Sequence, residues 1–133
     1  QELWKIPAVV ALKESSGNLA QIGEIARALP EGKQLLAGDD NAALATIALG
    51  GCGLVSVIGN ALPRETAALV EAARKGELER ACALHQRLLP LMDALFLESN
   101  PIPLKAALEL LGFGTAVVRL PLTSAQESTR QRL

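Results

Sequence analysis

Tyrosine is absent from this chain, which carries one tryptophan and two phenylalanines in 133 residues. Few rings are available to stack on bases, 13 basic residues face 14 acidic ones, and no block of like charge occurs. These features argue against a nucleic-acid surface. Long apolar runs are missing as well. The longest fall far short of the ~20 residues that span a bilayer, and no signal-peptide pattern opens the chain. Neither nucleic acid nor membrane is therefore an expected partner. The only cysteines, Cys52 and Cys82, are too few and too far apart for a disulfide framework or a zinc site. They are expected to be small core residues in a reducing cytoplasm, and the sequence points to no metal and no cofactor. What is present is enough length for one domain with a real core, and half of the residues are hydrophobic.

The most informative residue is Lys13. It ends the apolar run Ala8-Val9-Val10-Ala11-Leu12 and is followed by Glu14-Ser15-Ser16-Gly17-Asn18. Such a run bounded by turn formers reads as a buried strand of a parallel sheet. Open α/β sheets and barrels place their chemistry at the carboxyl ends of the strands, where this lysine stands. An amine held there among apolar neighbours has its charged form disfavoured, and only a neutral amine attacks a carbonyl carbon to form a Schiff base. A salt-bridged or snorkelling lysine is the other reading of the same position.

The rest of the first half repeats the strand-helix alternation. Asn18 caps a helix with Leu19, Ile22, Ile25, Ala26 and Leu29 on one face, stopped by Pro30 and Gly32. Gln34–Ala37 reads as a second strand, closed by Gly38-Asp39-Asp40. A helix over 41–49 follows, with Asp39 or Asp40 as its cap and Gly50-Gly51 as its end. Residues 53–58 read as a third strand. Strand starts roughly 20 to 26 residues apart fit right-handed βαβ units. From Pro63 the pattern is helical only: one helix to about Lys75, broken by Gly76, and a long one with Leu78, Ala81, Leu84, Leu88, Leu91 and Leu95 on a face and a kink expected at Pro90. A third opens at Asn100-Pro101 and closes at Gly112. After an extended link over 117–121, Ser124 and Glu127 have capping-box spacing for a last short helix. Residues 1–75 thus form an α/β part and residues 76–133 a helical subdomain.

Three parallel strands leave two edges unpaired and one sheet face poorly covered, while a closed (β/α)8 barrel typically needs about 250 residues. Further strands are expected to complete the sheet, from the same natural polypeptide or from a partner chain. Gln1-Glu2-Leu3-Trp4-Lys5 reads accordingly as the tail of a helix running into a strand rather than as a natural beginning.

Three segments resemble one family: Val10-Ala11-Leu12-Lys13-Glu14-Ser15-Ser16-Gly17-Asn18, Leu36-Ala37-Gly38-Asp39-Asp40 and Asn100-Pro101-Ile102-Pro103-Leu104-Lys105. Together with Gly50-Gly51-x-Gly53, Val55-Ser56-Val57 and Arg119-Leu120-Pro121-Leu122 they are similar to the carboxyl-terminal half of dihydrodipicolinate synthase, in the pyruvate-dependent Schiff-base aldolase and lyase superfamily. The resemblance implies a partial TIM barrel, its last three β/α units (strands 6–8), followed by a helical subdomain. It implies that Lys13 condenses with pyruvate, that the iminium loses a methyl proton to become an enamine, and that the enamine attacks aspartate-4-semialdehyde to give 4-hydroxy-tetrahydrodipicolinate. Gly38 matches a pocket-lining position on the seventh strand. Val55 matches a position, usually Ile, whose backbone carbonyl faces the lysine. Expected partners are pyruvate and a small aldehyde, with either a homo-oligomer or a missing amino-terminal half. The family's relay tyrosine, its Thr-Thr pair for the pyruvate carboxylate and its arginine for the second substrate precede the lysine and have no counterpart here, so poor activity of the chain alone is expected. A related lyase of the N-acetylneuraminate or keto-deoxy-sugar type, and a non-catalytic half-barrel that self-associates through its sheet edges, are the alternatives.

The remaining candidates have plainer roles. Asp39 and Asp40 lack further metal ligands nearby, which favours helix capping and bonds to neighbouring loops. Glu14 either tunes Lys13 or forms a structural ion pair. His85 stands alone on its helix and reads as packing or surface. Ser56 and Asn60 line the pocket mouth or serve turns, and Asn100–Pro103 shapes a helix entrance.

Overall fold

The computed structural model describes residues 2–133. Three short strands form one parallel sheet in sequence order: β1 (Ala11–Glu14), β2 (Gln34–Ala37) and β3 (Gly53–Leu54). Lys13 pairs with Leu36, and Leu36 with Gly53. The helix α1 (Leu19–Arg27) links β1 to β2, and α2 (Ala43–Ala48) links β2 to β3. Helices α3 (Pro63–Arg74), α4 (Leu78–Ala94), α5 (Ile102–Leu110) and the short α6 (Glu127–Arg130) follow.

The element order is the one the sequence predicts, and local chemistry explains most of it. Asn18 caps α1: its side-chain oxygen accepts from the N–H groups of Ala20 (3.0 Å) and Gln21 (3.2 Å), an arrangement worth about 1 kcal/mol over alanine. Pro63 occupies the first turn of α3, where its missing N–H costs nothing. The helix ends at Arg74, and Gly76, one residue past the cap, has a φ of 74° in the left-handed region. Helix α4 continues through Pro90 to Ala94.

Four expectations need correction. Strand β1 begins at Ala11 rather than Ala8, because the Val9 N–H is taken in a turn by the Ile6 carbonyl (3.0 Å) and the Val9 carbonyl accepts from Lys33 Nζ (2.5 Å). Pairing starts only where Gln34 N–H reaches the Val10 carbonyl (3.0 Å). Strand β3 ends at Leu54 rather than residue 58, since a carboxylate from another loop captures the amides of Val57 and Ile58 and winds residues 58–60 into a 3-10 turn. Neither aspartate caps the helix after β2: a 3-10 turn over 40–42 precedes α2, and Asp39 at its start makes no side-chain cap bond. The Ser124–Glu127 capping box does not form either. Gln126 is the cap residue of α6, and its N–H is taken by Glu98 Oε1 (3.0 Å).

A continuous apolar core joins the loop after β3 to the helices. Ile58, Ala61, Leu69, Ala72, Ala81, Leu88, Met92, Leu95, Leu104 and Ala107 form one cluster. Burying each large aliphatic side chain there is worth about 1.5–3 kcal/mol. Among the described residues the outer edges of β1 and β3 pair with nothing. An open groove of about 790 Å³ runs along β3 and α3, past Leu54, Gly59, Thr66 and Val70.

Candidate active site at the carboxyl end of the sheet

Lys13 is the third residue of β1, and its side chain leans over Gly38 at the end of β2. A Cβ built on Gly38 would lie 2.8 Å from Lys13 Cε and 2.8 Å from the Glu14 carbonyl oxygen, and would fall on Ser15 Oγ. The Gly38 N–H donates to that same Glu14 carbonyl at 2.6 Å. Two strand ends are thus drawn together through a residue that has no side chain. The sequence placed Lys13 and Gly38 separately, and the structure brings them into contact.

The enclosure expected around Lys13 is not formed. Its side chain is exposed, as are Ser15 and Ser16. The physical reason is the edge position of β1, which has a neighbour on one side only. A run of apolar residues read as covered on both faces is here only half covered, and Val10 is 61% exposed.

Glu14 faces the other way and is buried at 7% exposure. Among the described residues it forms no ion pair. Its Oε1 accepts from Ser16 N–H (2.9 Å) and from Gln21 Nε2 of α1 (3.1 Å), while Oε2 is buried with no partner. The carboxylate therefore fixes the turn that leaves β1 against the first turn of α1. Signals for this were present in the sequence, since adjacent strand residues face opposite sides, but the acceptor role required the tertiary position of Gln21.

Asp40 makes the bonds to a neighbouring loop expected of the aspartate pair, though not the helix cap. It is 1% exposed, and it accepts from Ser56 Oγ, from Val57 N–H (2.9 Å) and from Ile58 N–H (3.0 Å). It ties the loop after β2 to the loop after β3. Ser56 Oγ also accepts from Gly59 N–H (2.7 Å), and Asn60 Nδ2 donates to the Val57 carbonyl (3.0 Å), so both polar side chains serve this turn. Val55 precedes it, with its N–H on the Ala37 carbonyl (2.8 Å) and its side chain 43% exposed. Val55 follows the end of β3, while Gly53 is the residue in register with Lys13 across Leu36 of β2. His85 is half-buried, with Nδ1 unpartnered. Among the described residues no three His, Cys, Asp or Glu side chains converge on a point that would hold a metal ion.

Asp39 completes the rim. Burial, helped by the neighbouring Glu14 and Asp40 carboxylates, raises its pKa above the ordinary 3.8, and Lys13 only partly offsets this. Above 3.8 the folded chain then holds on to a proton that the unfolded chain has released, so this group's contribution to stability declines as pH rises through the folded value. Asp39→Asn is accordingly expected to help stability more at neutral pH than in acid. Thermal melts of both proteins at several pH values check it: the melting-temperature gain of the variant should shrink below pH 3.8, and a gain independent of pH contradicts the assignment.

With this geometry in hand, the likeness to known proteins is consistent along the whole chain. The model of the dihydrodipicolinate synthetase family matches residues 1–133. The 4-hydroxy-tetrahydrodipicolinate synthase of Thermomicrobium roseum is 47% identical over 133 residues, which is all of this chain and 44% of that protein. The crystal structure of dihydrodipicolinate synthase from Aquifex aeolicus superposes with a TM-score of 0.93 at 39% identity, over 98% of this chain and 44% of that one. A structure described as a monomeric dihydrodipicolinate synthase variant gives 0.89 at 36%, over 95% and 43%. The chain spans less than half the length of these relatives, yet family match, identity and fold agree: it belongs to the dihydrodipicolinate synthetase family.

Proposed function

We propose that this chain is the lysine-bearing part of a pyruvate-dependent Schiff-base synthase, with Lys13 as the residue that captures the keto acid. The observation that carries the reading is the placement of Lys13 at the carboxyl end of a parallel strand, with its Cε against a glycine that leaves the amine's surroundings open. In the proposed sequence of steps, Lys13 Nζ attacks the keto carbon of pyruvate, water departs and an iminium remains. The iminium draws electrons from the methyl carbon, a proton is lost there, and the resulting enamine carbon attacks the aldehyde carbon of aspartate-4-semialdehyde, on the way to 4-hydroxy-tetrahydrodipicolinate. Gly38 supplies the space beside the lysine. Val55 supplies a backbone carbonyl on the facing strand end. The strand numbers are those of the sixth to eighth strands of a (β/α)8 barrel, whose remaining strands would close the sheet at the free edges of β1 and β3, in this polypeptide or by association with further copies. A reducing cytoplasm suits the unpaired Cys52 and Cys82.

A second reading has its own observation. The exposure of Lys13 and the two unpaired sheet edges suit a non-catalytic half-barrel that self-associates. Incubation of the chain with pyruvate and sodium borohydride, followed by intact mass and peptide mapping, separates the two. A reduced pyruvate adduct on Lys13 is the expected result. An adduct spread over the surface lysines, or none, removes the catalytic reading. Trapping with other 2-keto acids in competition tests the sialic-acid and keto-deoxy-sugar lyase alternatives.

A further inference from the structure

We infer that Ser15 is a second substrate-contacting residue, whose hydroxyl donates a hydrogen bond to the keto oxygen of the acid captured by Lys13. The inference rests on the Lys13 reading above and extends it to a residue that reading leaves unused. Ser15 Oγ and Lys13 Cε crowd the same point, the vacant Cβ position of Gly38. They are thus neighbours at the end of β1 although Glu14 between them turns inward and is buried. Elsewhere in this turn Glu14 Oε1 accepts from Ser16 N–H and Gln21, Ser16 Oγ accepts from Asn18 N–H, and Asn18 Oδ1 accepts from the amides of α1. The Ser15 hydroxyl alone in this turn bonds to no other described residue, and its side chain is exposed on the side of Lys13.

Schiff-base formation needs a donor at that place. As Lys13 Nζ bonds to the keto carbon, the C=O π pair moves onto oxygen, which takes up the proton shed by nitrogen and yields a carbinolamine. A further proton from solvent lets the oxygen depart as water, and the nitrogen lone pair forms the C=N bond of the iminium. Negative charge develops on the oxygen as the first step proceeds and is quenched by the proton it takes up, so a donor beside it acts on the transition state rather than on ground-state binding. Ser15 is two residues from Lys13, and the backbone bond between Gly38 and Glu14 holds the turn that carries it.

The test measures the rate of borohydride-trapped adduct formation on Lys13 as a function of pyruvate concentration, for the unsubstituted chain, Ser15→Ala and Ser15→Thr, with circular dichroism melts as the check on folding. Ser15→Ala is expected to lower the rate at saturating pyruvate on the order of 10–100-fold, with the half-saturating concentration essentially unchanged, and Ser15→Thr to restore most of the rate. Equal rates for Ser15→Ala and the unsubstituted chain overturn the inference while leaving Lys13 in place. Equal slowing in both variants also overturns it, since a lost fit rather than a lost hydroxyl then explains the effect. Absence of any Lys13 adduct in the unsubstituted chain overturns the reading of Lys13 itself, and this inference with it.

Discussion

Replacing Asp40 by alanine is expected to cost about 3–5 kcal/mol of folding stability, a large share of what a chain of this size possesses. Three donors converge on this carboxylate: Ser56 Oγ, Val57 N–H and Ile58 N–H. Hydrogen bonds to a charged acceptor are each worth about 1.5–3 kcal/mol, and a buried N–H left without a partner costs about 1–3 kcal/mol. Those contributions overlap, so they do not add in full. Water offers little relief, since Asp40 is 1% exposed and Ile58 0%. Ile58 belongs to the main apolar cluster, so any retreat of the backbone toward solvent drags a core side chain with it. Asp40→Asn keeps one acceptor oxygen but turns an amide toward a donor, and about half of the loss is expected to remain. Urea titration is the measurement: the midpoint should fall with little change in slope. An unfolding free energy within about 0.5 kcal/mol of the unsubstituted chain would mean that the two loops are held together by something other than this carboxylate.

The same residue shows where reading the sequence ran out. Asn18, Pro63 and Gly76 act on the backbone within a few positions of themselves, so their effects are legible from spacing, and the helices they start or stop appear as expected. The extent of β3 is different. Val55-Ser56-Val57-Ile58 has the composition of a strand, but an aspartate up to 18 residues earlier takes its amides and turns it. At α6 the Ser124–Glu127 spacing satisfies a local rule, yet the entering amide is taken by Glu98, 28 residues away. In both places a buried or half-buried carboxylate on another segment outbids the local preference, and nothing in the intervening sequence announces it. The candidate site divides the same way. Lys13 was visible because a strand end is a local pattern, and the family resemblance gave Gly38 and Val55 their expected roles. The approach of Lys13 and Ser15 to Gly38, and the exposure of the lysine on an edge strand, depend on which strands lie beside β1, and that is a property of the assembled sheet.

Gly38→Ala is the second large effect expected, and it acts on the site rather than on the core. The added methyl would fall on Ser15 Oγ and lie 2.8 Å from both Lys13 Cε and the Glu14 carbonyl oxygen. Gly38 is not among the glycines with positive φ, so the requirement is for space and not for a left-handed backbone. Two of the three obstructing atoms are side-chain atoms and are able to move aside. The third is backbone, and it accepts the Gly38 N–H at 2.6 Å, so the strands cannot part without breaking the bond that joins their ends. Overpacking of this kind costs about 1–3 kcal/mol. The sharper consequence is for Lys13: a displacement of about 1 Å at a reacting group is enough for a rate loss near 100-fold. Gly53→Ala provides the control, because a Cβ there meets only Leu36 Cδ2 at 3.4 Å, the far end of a side chain that yields. In borohydride trapping with pyruvate, Gly38→Ala should slow adduct formation about 100-fold while melting remains cooperative, and Gly53→Ala should stay near the unsubstituted rate. If the two variants trap pyruvate equally fast, the lysine does not work from the position over Gly38, and the catalytic geometry must be sought on another side of the strand.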